Sequence, residues 1–158
     1  FQNTGVEEIP ENLFSGNPLV TSYGQTFRGC KNLRSVPAGL FAASISATVF
    51  TNVFSECSAL EVVGAGLLNT TAVTTVGYLF DGCASLHSDV NTIFNLASYP
   101  EIVTTTAIFR SCALLAGKGL VFMGKVPNVT AHYYAFYACA GLDDYDDLPG
   151  NWITNKLS

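Results

Sequence analysis

Five times in 158 residues the chain spells Phe, then Cys three positions on, then Leu three after that. The copies read VTSYGQTFRGCKNL, ATVFTNVFSECSAL, VTTVGYLFDGCASL, IVTTTAIFRSCALL and VTAHYYAFYACAGL. The Phe column is Phe27, Phe54, Phe80, Phe109 and Phe136, with successive members 27, 26, 29 and 27 residues apart. Cys30, Cys57, Cys83, Cys112 and Cys139 form the second column, and Leu33, Leu60, Leu86, Leu115 and Leu142 the third. A period of this length is the mark of a stacked repeat, and it constrains the fold before any local preference is considered.

The register extends to both sides. Seven residues before each Phe stand Val20, Ala47, Val73, Ile102 and Val129. Seven and eight after each Leu come the pairs Leu40-Phe41, Leu67-Leu68, Ile93-Phe94 and Phe122-Met123, with Leu13-Phe14 placed likewise after Val6. The fifth copy breaks here with Pro149-Gly150. Length varies only in the linker that follows the pair, which holds five, five, four, seven and five residues. Variation confined to one segment predicts an exposed loop. The sequons at Asn69 and Asn128 fall in that linker.

Local chemistry assigns the parts of the unit. Apolar positions at minus seven, minus four, minus one or zero, and plus three predict a short helix from the Val column to the Cys, with the Thr after Val as its N-cap. After the Leu, segments such as LRSVPAGLF predict a strand of two or three residues ended by Pro, which cannot donate to a ladder. The Leu-Phe pair then closes a tight turn. Such a unit buries nothing alone, so the expectation is an α/β repeat solenoid of short strands and short helices, about 27 residues per repeat. It is a single domain over 1–158: a partial N-terminal repeat, five full repeats and an irregular cap over about 143–158 that holds Trp152. Phe1 sits one place late for the register, so the preceding helix is expected to be lost or replaced. Opening in mid-unit with neither Met nor a signal-peptide pattern, the sequence reads as a piece of something longer.

The stretch VEEIPENLFSGNPLVTSYGQTFRGCKNLRSVPAGLF resembles the BspA-like leucine-rich repeats of bacterial surface proteins, and its VT…F.GC..L half is similar to the repeat of mycoplasma surface lipoproteins. The resemblance runs over essentially the whole chain. The strand-ending Pro is missing in LHSDVNTIF and LAGKGLVFM, where irregular strands are expected. The resemblance implies a cell-surface or secreted location and a partner among host proteins, bacterial surface proteins or glycans.

Composition narrows the alternatives. With 49% hydrophobic and 12% charged residues the chain is too apolar for disorder, yet no apolar run approaches the roughly 18 residues of a membrane span. Seven Lys and Arg against a net charge of −5 argue against a nucleic-acid partner. No two cysteines are close enough in sequence to make a metal pair, so no metal or cofactor is expected. On stacked helices equivalent cysteines would stand about 8 to 10 Å apart, beyond the roughly 7 Å of a disulfide, which predicts five free buried thiols. His87 and His132 lie at different phases without a Ser and acid partner, so no catalytic residue is assigned and the chain reads as no enzyme. His132 is expected to be a partly buried packing residue. Asp143, Asp144, Asp146 and Asp147 offer carboxylates of the kind calcium takes, but without the spacing of a calcium loop they read as a solvated acidic end.

Function is therefore expected on the surface of the array. The short strands should present Glu8, Arg34, Ser35, Glu61, Val62, His87 and Ser88 outward, unlike from copy to copy as a recognition face requires. The leading expectation is a non-enzymatic adhesion or ligand-binding module; a passive spacer or stalk of a larger surface or virion protein is the alternative.

Overall fold

A computed structural model describes residues 1–68 and 70–154. The sequon residue Asn69 and the last four residues of the expected cap lie outside them. Few regular elements are present: strands β1 (Ser35–Val36) and β2 (Val62–Val63), helices α1 (Val90–Ile93), α2 (Gly119–Lys125) and α3 (Gly150–Ile153), and a 3-10 turn at Tyr145–Asp147.

The expected helix between the Val and Cys columns does not form in any of the five copies; a run of turns takes its place. In the first copy the amide of Thr26 donates to the Tyr23 carbonyl, Cys30 to Phe27 and Leu33 to Cys30, each bond spanning three residues. The later copies repeat the Phe-to-Cys and Cys-to-Leu turns. Turns of type II need a positive φ at their third position. Gln25, Asn52, Tyr78, Ala107 and Tyr134 supply it two residues before the Phe, and Gly29, Glu56, Gly82, Ser111 and Ala138 two after. Each turn brings one apolar residue back inward after three steps, and this spacing imitates a helical face. Thr48, Thr74 and Thr130 cap no helix either: their amides donate to Thr21, Thr48 and Val103 of the preceding copy.

What the turns leave unpaired is satisfied between copies. The amides of Phe27, Phe54, Phe80 and Phe109 donate to the carbonyls of Val53, Leu79, Ile108 and Ala135, one copy further on, at 2.8–2.9 Å. Parallel bridges join Ser22 to Val49, Val49 to Thr75, Thr75 to Thr104 and Thr104 to Ala131, and β1 pairs with β2 in parallel. The chain is thus a repeat fold in which each copy lies on the next at the close spacing of a β-ladder.

The Phe rings record that spacing. Phe27, Phe54, Phe80, Phe109 and Phe136 stack face to face, their centroids 5.5–5.9 Å apart and their planes within 9°. Phe1 extends the stack, 5.2 Å from Phe27, and its carbonyl accepts the Cys30 thiol. Phe1 is therefore in register with the column, and Asn3, at φ 57°, takes the place of Gly29 and donates to the Arg28 carbonyl. The late position expected for Phe1 is absorbed between Thr4 and Val6. At the other end Trp152 stacks on Phe136 at 6.0 Å and accepts its amide, as a cap should.

The same spacing corrects the reasoning about the thiols. All five cysteines are free and buried, but stacked turns, unlike helices, do not hold neighbouring copies 8 to 10 Å apart. Instead each sulfur is engaged. The thiols of Cys57, Cys83, Cys112 and Cys139 donate to the carbonyls of Phe27, Phe54, Phe80 and Phe109 at 2.9–3.1 Å. Burial pushes the Cys57 and Cys139 thiols up to about 12, and those of Cys83 and Cys112 well above their ordinary value. They stay protonated donors.

Helices occur where tight turns were expected, in the two copies where irregular strands were expected. Asp89 caps α1 through the Asn91 amide at 2.6 Å, and Lys125, from the last turn of α2, donates to the carbonyls of Asn91 within α1 and Phe94 just past its end. The strand pairing reduces here to one bridge, Asp89 to Ala116. Just after β2, Gly64 stands in the Pro position, where a Cβ would stand 2.3 Å from the Ala38 amide of the copy below. The linkers are less peripheral than expected. Ser44 is buried against the Tyr23 hydroxyl at 2.7 Å, and Tyr99, in the seven-residue linker, is fully buried and donates to the Leu68 carbonyl.

Candidate ligand-binding face

The backbone that follows each Leu runs copy over copy. The amide of Arg34 donates to the Glu7 carbonyl, Glu61 to Arg34 and His87 to Glu61 at 2.9–3.3 Å. Ser35 lies opposite Val62 in the β1–β2 pair. Glu8, Arg34, Ser35, Glu61, Val62 and His87 are thereby gathered into one stripe across four copies. All are exposed except Glu61, which is half-buried. Within the stripe Arg34 Nη1 reaches Glu61 Oε1 at 3.1 Å, with 72% and 47% of the two side chains open to solvent. An ion pair this wet contributes little stability and leaves both groups available to a ligand. Val62, 44% exposed, adds an apolar patch beside it.

Ser88 departs from the expectation that it faces outward. It is half-buried, and its Oγ accepts the Val63 amide at 2.8 Å, taking the place of a main-chain acceptor where the strand pairing ends. The two histidines are far apart in the chain and differ in setting. His87 is exposed, with Nδ1 3.3 Å from the Ser85 carbonyl. His132 is stacked on Trp152 at 4.6 Å, and burial pulls its pKa below the ordinary histidine value. The acidic end is not wholly solvated: Asp144 is buried, and its two oxygens accept the Gly119 and Leu120 amides at 2.7 and 3.0 Å, capping α2. Among the described residues no group of three or more His, Cys, Asp or Glu side chains is arranged to hold a metal ion.

A second surface feature escaped the sequence reading. Arg110 makes a two-point ion pair with Asp81 of the preceding copy, Nε to Oδ1 and Nη2 to Oδ2, both at 2.7 Å. Its guanidinium lies 5.8 Å from the centre of the Tyr78 ring. Tyr134 and Tyr137, one copy further on, meet edge to face at 5.8 Å. The signal was legible, since four of these residues stand at only two phases of the repeat: Tyr78 and Tyr134 two before the Phe, Asp81 and Arg110 one after.

No family model matches the chain, and no curated protein matches it. Among solved structures, it is similar to a leucine-rich repeat protein of T. pallidum, at 20% identity over 79% of this chain and 72% of that one, TM-score 0.35. A leucine-rich repeat protein of Bacteroides ovatus follows at 19% identity and TM-score 0.30, over 90% of this chain and 49% of that one, so that the chain spans about half its length. These neighbours are leucine-rich repeat proteins, but their superposition is too loose to carry any argument about function. No helix among the described residues is long and apolar enough to cross a membrane.

Proposed function

We propose that the chain is a non-enzymatic binding module, a solenoid of BspA-like leucine-rich repeats that presents its strand stripe to a protein or glycan at a cell surface. The observation that carries this reading is the stripe itself. Four stacked copies bring an acid, a base, a hydroxyl, an aliphatic group and an imidazole side by side on a backbone hydrogen-bonded from copy to copy. Rigid placement of unlike groups favours selective recognition, because little order has to be imposed on binding. The reading is tested by charge reversal in the stripe, Arg34→Glu with His87→Glu, followed by binding of the labelled domain to immobilised mucosal glycoproteins and to whole bacterial cells. At least a tenfold loss of binding with an unchanged melting curve is expected. Equal binding by wild type and variant excludes the stripe.

One observation favours the alternative, a passive spacer. The ring stack from Phe1 to Trp152 is unbroken, a feature that suits a stiff spacer whatever its surface carries. A spacer predicts binding indifferent to every stripe substitution.

A further inference from the structure

We infer that Tyr78, Arg110, Tyr134 and Tyr137 form a docking hot spot for an extended, carboxylate-bearing peptide segment of a protein partner. The site lies outside the strand stripe and goes beyond the function proposed above. The fold does not ask for tyrosine here. The position two before the Phe is held at φ 51–63° in all five copies, and Gln25, Asn52 and Ala107 fill it elsewhere. Bulky side chains are the least suited to such backbone. Tyr78 and Tyr134 accept that strain on either side of Arg110. Strain of this kind gathers where a surface is used.

Arg110 is held ready to bind. Asp81 fixes it at two points from beneath, with 13% of the Asp81 side chain exposed against 42% for Arg110. The carboxylate is covered and the guanidinium faces out. Nε and Nη2 serve Asp81, and among the described residues no acceptor engages Nη1. The free Nη1 edge of the guanidinium is complementary to a carboxylate. Tyr137 is 46% exposed beside it, and its carbonyl accepts the Ser111 amide, which places it against the Arg110 copy. Tyrosine and arginine dominate protein hot spots because they offer large contact area with few bonds to immobilise. The cluster spans three copies, two ladder steps of about 4.8 Å, which about three residues of an extended peptide match.

The test pans a phage-displayed random dodecapeptide library on the folded domain, then measures a synthetic winner by titration calorimetry. Enriched peptides should contain Asp or Glu. The winner should lose at least tenfold in affinity for Tyr137→Ala, an exposed site that leaves the core intact, and about fivefold for Arg110→Lys, which keeps the charge but not the fork. Amidation of its own carboxylates should weaken it comparably, while Arg34→Glu in the strand stripe should leave it unchanged; this separates the hot spot from the stripe. Enrichment of peptides without acids, winners indifferent to Tyr137→Ala, or no enrichment at all overturns the inference, as does a glycan array bound through Tyr137 where no peptide is.

Discussion

The central Phe residues have partners both within their own copy and in the copies on either side. The Phe54 carbonyl accepts both the Cys57 amide and the Cys83 thiol, and its ring lies between those of Phe27 and Phe80. Truncation of Phe80 should therefore remove a fully enclosed ring, at about 3–5 kcal/mol, against a total of about 5–15 for an ordinary domain. Glu61→Ala, half-buried in a wet ion pair, should shift stability by less than about 0.5 kcal/mol. Denaturant melts compare the two. Ala107, buried at φ 51°, gives a sharper test of the turns, because a helix would tolerate valine there and disfavour glycine. Ala107→Val should cost more than about 1 kcal/mol, and Ala107→Gly should be neutral to slightly stabilising. The reverse order would restore the helix. Alkylation of the five thiols should require denaturant, since each is buried.

At the scale of elements, the caps carry the predictions and the sequence reading shows its limits. Strands, the Pro-bounded turn and the irregular third and fourth copies were legible, because proline and apolar pairs act locally. The helix was misread because turns that close every three residues and a helix of 3.6 residues per turn return side chains inward at nearly the same steps. Gly29 and Gly82 were the contrary signal, being poor in a helix and apt at a positive φ. The role of Asp144 was not legible, since its partners are 24 and 25 residues away in sequence. Asp144→Asn should weaken the hold on α2 and cost about 1–2 kcal/mol in a thermal melt. The C-terminal cap should respond to pH. His132 is stacked on Trp152, with the Tyr133 ring tilted against it, and both its ring nitrogens are buried without a hydrogen-bond partner among the described residues. Its pKa is depressed in the folded chain, so the unfolded chain binds the proton more readily. The stability it contributes is fully present above the ordinary value of about 6.5 and is lost as pH falls from there toward the folded value. Fluorescence of Trp152, the single tryptophan, should report loosening of the cap between pH 7 and pH 5 that His132→Phe abolishes. An unchanged pH response in that variant would place the titration elsewhere.

For the whole molecule, stability is a sum over contacts between neighbouring copies, because one continuous core runs from Ile9 to Trp152. A lesion in the middle should then weigh more than one at the end: Phe80→Ala should exceed Phe136→Ala, whose outer neighbour is the four-residue α3, and should split one unfolding transition into two. The repeat was readable from spacing alone, since three columns in register demand stacking whatever the local conformation. The surface was legible only as phases of the repeat, such as the one shared by Arg110 and Asp81, because periodicity does not say which outward residues meet across a separation of 29 residues. The central claim is that copies are joined by backbone hydrogen bonds from one Phe position to the next, and amide hydrogen exchange followed by NMR reads those bonds singly. Phe54, Phe80 and Phe109 should exchange only through global unfolding, at the slowest rates in the chain. If these three amides exchange as fast as those of the exposed linker residues Gly16 and Leu19, the ladder does not exist.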